Sequence, residues 1–357
     1  MFALRSTRRF GKLARNVSTM RAVHITEPGG PAVLVCKDTA VPECKEDEVR
    51  IKVGAAGVNR PDVLQRMGVY PPPPKAVTGR DPNVLPGLEV SGTVASVGSA
   101  VPAGAVQLDD QVVALADGGG YAEYVCVPYG QVLKPPPGLS PVEAGAVCEG
   151  YFTVWHNLFQ QCNVFGQRLR DGEGKAVLIH GGTSGIGSVA IQLAKAMGLT
   201  VFATAGSDSK VQHCCDFGAD TAFNYKQVDW VKEVQALGKV DLVLDMVCGD
   251  YVNKNLQVLR RGGRIALIGT LGGPVAEKLD FRYAMRSWLT ISGSTIRARP
   301  AEDKAQIARE LEEHVWPLFA AGKLKVHVDS TFALADACKA HERMEGSDHV
   351  GKIVLTV

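Results

Sequence analysis

Seven residues near the middle of the chain, Gly181-Gly182-Thr183-Ser184-Gly185-Ile186-Gly187, have the composition of a phosphate cradle. Glycine lets a ligand approach the backbone closely, and a glycine turn that opens into a helix offers N–H groups and the positive end of the helix dipole to an anion. The flanking residues supply the elements that such a turn needs. Lys175-Ala-Val-Leu-Ile-His180 reads as a buried strand, and Ser188-Val-Ala-Ile-Gln-Leu-Ala-Lys195 as an amphipathic helix. Strand, glycine turn and helix in that order bind the pyrophosphate of a dinucleotide.

The next apolar run, 200–205, ends in Ala205-Gly206-Ser207-Asp208-Ser209-Lys210. Sites selective for NAD usually carry Asp or Glu at this strand end, where it bonds the ribose 2′-hydroxyl and repels a 2′-phosphate. Ser207 and Lys210 offer a hydroxyl and an ammonium instead, which suit the phosphate of NADPH. Asp208 is expected to cap the following helix and face away. His180, at the end of the first strand, reads as structural rather than as a general base.

These residues need a scaffold, and the texture of the chain suggests one. From Met20 to about Pro141, short Val-rich runs such as 48–53, 91–98 and 111–115 alternate with Gly and Pro, the pattern of a β-rich, barrel-like domain. A helix is expected over Pro141 to Phe159, followed by strands at 175–180, 200–205, 221–224, 240–247, 264–269 and 289–295 with helices between most of them. That alternation implies βαβ crossovers and a doubly wound parallel sheet, hence an α/β fold. A long helix is expected over Glu302 to Ala320, after which the short-strand style returns. The expected organisation is a leader at 1–19, a β-rich substrate domain made of 20–141 and 301–357, and a dinucleotide domain, 142–300, inserted within it.

The 357 residues are 46% hydrophobic and 21% charged, ordinary for a globular enzyme with two cores. No run of 18 apolar residues occurs, so no membrane span is expected. The net charge is +2, but residues 1–19 hold five basic and no acidic side chains, leaving 34 basic against 37 acidic in the body. A slightly acidic body offers no basic stripe for nucleic acid. On a helix, the leader places Phe2, Ala3, Phe10, Leu13 and Val17 opposite Arg5, Arg8, Arg9, Lys12 and Arg15, as in a cleavable mitochondrial presequence. The alternative is an upstream start that leaves a disordered tail on a cytoplasmic protein. Nine cysteines form no CxxC pair, which suits buried thiols in a reducing compartment.

The glycine turn alone fits short-chain and medium-chain dehydrogenases. Short-chain enzymes carry it near the N-terminus and use a Tyr-xxx-Lys pair, and none of the eight tyrosines here has Lys four residues on. Several further segments carry a specific resemblance: Gly57-Val-Asn59-Arg-Pro-Asp62-Val-Leu-Gln65-Arg66-Met-Gly68-Val-Tyr70, Gly118-Gly-Gly-Tyr-Ala-Glu-Tyr, Phe223-Asn224-Tyr225 and Val350-Gly-Lys-Ile-Val-Leu. With the turn, they resemble the zinc-independent quinone oxidoreductases of the medium-chain dehydrogenase/reductase superfamily and, among them, the p53-inducible quinone oxidoreductase-like proteins. The resemblance implies a GroES-like β-rich catalytic domain with an inserted Rossmann-type domain.

Zinc-dependent relatives ligate the metal through a Cys and a Gly-His-Glu segment; the corresponding places here are Asn59 and Leu88-Glu89. Leucine cannot ligate zinc, so no metal site is expected. The resemblance implies hydride transfer from NADPH to a quinone or other conjugated carbonyl, with Tyr70 and Asn59 as donors to the carbonyl oxygen. It places Thr153 near the nicotinamide, Gly182, Thr183, Ser184, Gly185, Ile186 and Gly187 at the pyrophosphate, and Ser207, Lys210 and Tyr225 at the far phosphate. Gly269, Thr270 and Leu271 should border the nicotinamide. A mitochondrial enoyl-thioester reductase is the competing enzyme, and a crystallin-type or RNA-binding role the non-catalytic alternative. Trp288–Thr295 reads as an edge strand able to pair two copies into a homodimer. The segment Pro74–Pro86 and the stretch Gln167–Gly174 look extended relative to relatives, the former beside the expected substrate mouth.

Overall fold

The computed structural model describes residues 18–75, 84–161 and 174–357. Nearly all of the leader, the centre of the extended segment at 76–83 and most of the stretch 167–174 lie outside these residues.

Among the described residues, fifteen strands form three sheets. In chain order they are β1 (Thr19–Ile25), β2 (Leu34–Ala40), β3 (Glu48–Val58), β4 (Glu89–Val97), β5 (Gln111–Leu115), β6 (Tyr124–Pro128), β7 (Val132–Leu133), β8 (Ala176–Ile179), β9 (Thr200–Ala205), β10 (Thr221–Asn224), β11 (Val240–Asp245), β12 (Leu259–Leu267), β13 (Thr290–Gly293), β14 (Val328–Ala333) and β15 (Lys352–Thr356). β1 and β2 make an antiparallel ribbon. A seven-stranded sheet runs β14-β15-β3-β4-β5-β7, with β6 also on β3. Strands from both ends of the chain thus share one sheet, and the middle of the chain is inserted between them. Alternation along β3, with Val49, Ile51 and Val53 buried, supplies the barrel core.

The inserted part forms a six-stranded parallel sheet in the order β10-β9-β8-β11-β12-β13. Its central strands are mostly apolar; Ala176–Ile179 is buried at all four positions because helices cover both faces. The order reverses at β8, and the crevice at the carboxyl ends of β8 and β11 is where open α/β sheets bind ligands.

Two helices are broken where continuous ones were expected. The segment 141–160 divides into Pro141–Ala144, Cys148–Val154 and a π-turn at Trp155–Gln160. Gly145 at the first break lies so close to β3 that a Cβ there would sit 2.8 Å from the Ala55 methyl. The expected helix 302–320 divides into Ala301–His314 and Trp316–Ala320, since Pro317 cannot donate to the preceding turn. Ile307, Leu311 and Trp316 pack with Val113 and Leu133 of the first sheet and Val147 and Phe152 of the inserted part, tying the two together.

Candidate active site

The glycine turn follows β8 and opens into the helix Gly185–Ala196. Ser184 caps that helix: its hydroxyl accepts the Gly187 N–H at 3.0 Å and faces Met246 Sδ at 3.6 Å, so it holds the turn. Two glycines are sterically required. A Cβ on Gly187 would lie 2.2 Å from the Gly181 carbonyl oxygen, and one on Gly182 would lie 2.6 Å from Cys214 Sγ. Gly185, Ile186 and buried Thr183 complete the turn. A dinucleotide pyrophosphate fits this cradle, with the helix N-terminus as its electrostatic partner.

At the end of β9, Ser207 rather than Asp208 is the cap of the next helix; its Oγ accepts the Lys210 N–H at 3.3 Å. Asp208 is turned aside by Asn224 Nδ2 at 2.7 Å and Gln227 Nε2 at 3.2 Å. Lys210 Nζ donates to the Ser347 carbonyl at 2.6 Å, and Tyr225 packs against Gly206 with 42% of its surface exposed. Ser207, Lys210 and Tyr225 therefore gather at one strand end. On the other side of the switch point, Gly269-Thr270-Leu271 lies along the residues after β11, with Leu271 N donating to Met246 O at 3.0 Å.

His180 belongs to a closed network beneath the turn. Asn255 Nδ2 donates to Asp245 at 2.8 Å, so Asn255 Oδ1 must accept from His180 Nε2, also at 2.8 Å. His180 Nδ1 then accepts from the Thr204 hydroxyl at 2.9 Å, and burial lowers the imidazole pKa and keeps it neutral. Trp230 and Tyr251 pack edge-on to the ring, which leaves it no contact with a substrate.

The substrate side is built from β3, β4 and β15. Asn59 follows β3, and its side chain is fully committed: Nδ2 donates to Glu89 Oε1 at 2.8 Å, and Oδ1 accepts from Lys352 Nζ at 2.5 Å. Lys352 also donates to Glu89 at 2.6 Å, and both side chains are at least 96% buried. The amide expected to donate to an acceptor is engaged here with the Lys352–Glu89 pair, which it positions. The ammonium thus bridges Asn59 and Glu89, two residues of the segments that correspond to the metal-binding segments of zinc-dependent relatives.

Lys352 also links the two halves of the site. Its stem lies against Gly185, and Gly351 N donates to Thr183 O at 2.9 Å, so two consecutive residues touch both the glycine turn and the Asn59–Glu89 pair.

Asp62, one helical turn after Asn59, is fully buried and accepts from Asn59 N, Gly87 N and the Tyr121 hydroxyl at 2.8, 2.9 and 3.3 Å. Burial pushes its carboxyl up to about 6 in spite of these donors. Tyr70 lies near Glu149 and Arg297, and no hydrogen bond among the described residues uses its hydroxyl. Burial and the nearby Glu149 raise the Tyr70 pKa, so the phenol stays protonated. Glu149, whose backbone N–H holds Glu89 at 2.9 Å, is itself pushed up to about 8 by burial and by Glu89. Thr153 is on the same helix, its carbonyl accepting from Asn157 at 2.8 Å. Arg297 completes the cluster, its guanidinium 5.8 Å from the Tyr70 ring centre.

Comparison with known proteins decides the family. Residues 45–137 match the alcohol dehydrogenase GroES-like domain and residues 185–313 the zinc-binding dehydrogenase domain. Human quinone oxidoreductase is 31% identical over 96% of this chain and 99% of its own length. The chain is a medium-chain dehydrogenase/reductase of the quinone oxidoreductase family, and an oxidoreductase. The solved structure of the Escherichia coli quinone oxidoreductase complexed with NADPH superimposes with a TM-score of 0.79 at 26% identity, over 95% of this chain and all of that one. The CurF ER cyclopropanase of curacin A biosynthesis gives 0.78 at 26% identity, over 94% of this chain and 99% of that one. Structures similar to this chain thus include a quinone oxidoreductase complexed with NADPH and a cyclopropanase of curacin A biosynthesis.

Asp62, Glu89, Glu149 and Lys352 lie inside or beside segments that carry the family resemblance, yet their types and spacing assign none of them a role. Their clustering depends on β15 returning beside β3, which no local pattern encodes. Arg297 carries no sequence signal at all.

Proposed function

We propose that the protein is an NADPH-dependent, zinc- and flavin-free reductase of quinones and other conjugated carbonyls. The observation that carries this reading is the Lys352 ammonium between Asn59 and Glu89: the polar side chains of these two segments are taken up by a chain cation and Leu88 cannot ligate a metal, so polarisation of the acceptor falls to hydrogen-bond donors. Bound NADPH would supply the hydride. Gly182 to Gly187 hold its pyrophosphate, Ser207, Lys210 and Tyr225 its 2′-phosphate, and Thr153 and Gly269 to Leu271 its nicotinamide end. Tyr70, kept protonated by burial, donates to the acceptor oxygen as charge develops on it; one such donor contributes roughly 3 kcal/mol to the transition state. Protonated Glu149 is a second proton source within the same cluster.

NADPH oxidation measured with 1,2-naphthoquinone, with an enoyl-CoA and without acceptor tests the reading. Turnover with the quinone is expected; turnover with the enoyl-CoA alone would overturn it in favour of an enoyl-thioester reductase.

A homodimer through β13 is part of the same proposal. This strand is the sheet's free edge, and Ile291, Trp288, Met285 and Phe281 beside it are between 36% and 69% exposed. Import into mitochondria through the basic leader completes it, and diffuse cytosolic signal from residues 1–25 fused to a fluorescent reporter would refute that part.

A further inference from the structure

Arg297 is only 4% exposed, yet both terminal nitrogens of its guanidinium, Nη1 and Nη2, are buried without a hydrogen-bond partner among the described residues. Such groups cost roughly 1–3 kcal/mol each when orphaned, more when charged, and are rare unless a ligand completes them. The residue is not loosely placed. Its Nε donates to the Asp117 carbonyl at 3.0 Å, and its own carbonyl accepts from Lys304 Nζ at 3.0 Å. Lys304, 1% exposed, is also ion-paired to the Asp117 carboxylate. A buried lysine on one element and a backbone carbonyl on another therefore fix the arginine, its guanidinium lies over the Tyr70 ring at 5.8 Å, and its two terminal nitrogens are left without partners. The titratable groups that face it are Asp62, Tyr70, Asp117 and Glu149. Asp62 and Asp117 already have donors of their own, and Glu149 is held largely protonated at neutral pH.

We propose that the Arg297 fork, together with the Tyr70 hydroxyl, holds the oxyanion of the acceptor, so that the preferred ligand of this site is a planar phenolate or enolate. This rests on the reductase reading. When a conjugated carbonyl accepts a hydride, the electron pair displaced from the conjugated system ends on the carbonyl oxygen, and that one negative charge is what two unpartnered guanidinium donors would hold. Arg297 keeps all of its protons; it contributes two charge-assisted hydrogen bonds and a fixed cation in a site shielded from water. Planar, paired donors explain why an arginine stands here rather than a lysine.

4-Nitrophenol, whose phenol and phenolate forms absorb differently, tests the assignment on the full-length protein without turnover. The wild type should favour the phenolate, so that the bound probe ionises at lower pH than the free one. Arg297→Gln should weaken phenolate binding at least tenfold and abolish the shift, while leaving NADPH affinity unchanged. Arg297→Lys, which keeps a cation should the glutamine variant fail to fold, should lose affinity by a smaller factor. Phenolate affinity unchanged in either variant would overturn the proposal. A protein that reduces no quinone or enone but shows the Arg297-dependent shift would sink the reductase reading alone. A working reductase whose Arg297→Gln variant keeps both phenolate affinity and kcat would sink the Arg297 assignment alone.

Discussion

Around His180 and around Tyr70 the chain buries polar side chains of similar kinds, and only one of the two clusters closes on itself. In the first, His180, Thr204, Asn255 and Asp245 satisfy one another, with aromatic rings against the imidazole. In the second, Lys352, Glu89 and Asn59 are closed, but the Tyr70 hydroxyl and the Arg297 fork are not. A closed network contributes rigidity, whereas an open one stores an unmet demand that a ligand can satisfy. The histidine at the strand end has nothing left to offer a ligand, whereas the arginine has two donors.

The comparison can be broken or sharpened by substitution. Lys352→Met should have the largest effect, lowering stability by about 3–5 kcal/mol because the Glu89 carboxylate is left buried and unpaired; adding Glu89→Gln should recover part of it in urea unfolding. A single variant as stable as the wild type would show that the pair is not what holds β15 to the site. Tyr70→Phe should reduce kcat with a small quinone roughly 100-fold, close to 3 kcal/mol, with little change in Tm. Unchanged kcat would remove Tyr70 from the open cluster. His180→Phe should do the reverse, costing about 1–3 kcal/mol of stability through its orphaned partners while kcat stays near that of the wild type. A catalytic defect larger than the loss of folded protein would mean that the closed cluster also serves the reaction.

Smaller effects are expected at the edges of the site. Lys210→Ala should raise KM for NADPH about tenfold, or ~1.4 kcal/mol, and leave KM for NADH nearly unchanged; equal changes would refute a phosphate contact. For Glu149, folding raises the carboxyl to about 8 from its ordinary value of 4.5. The folded state therefore holds a proton that the unfolded chain has released, and its contribution to stability is present below the ordinary value and lost as pH rises toward about 8. Glu149→Gln should flatten the fall in Tm across that interval; an unchanged slope would mean that Glu149 titrates normally.

Much of the fold is legible in the order of residues. The apolar runs of β8, β9, β10 and β11 end within two residues of where the pattern puts them, because a strand covered on both faces must be apolar at every position. The helices over 141–160 and 301–320 are less legible, since a close approach at Gly145 and the stop at Pro317 depend on neighbours or on a single residue within a continuous apolar pattern. In the site, the glycine turn announces itself through residues that sterics require. Asp208 does not: the helix cap is Ser207, and the aspartate is taken by Asn224 from the adjacent strand.

The sequence by itself determined the α/β class, the glycine turn, the two apolar cores and the family to which the chain belongs, since each is written in local periodicity or in short runs of required residues. Only the tertiary structure decided that Asn59 spends its amide on Lys352 and Glu89, that Asp62, Tyr70 and Glu149 gather near Arg297, and that Arg297 is buried with two donors unmet. Those facts depend on contacts between residues 30 to 293 positions apart, and no local pattern records whether a polar atom, once buried there, has found a partner.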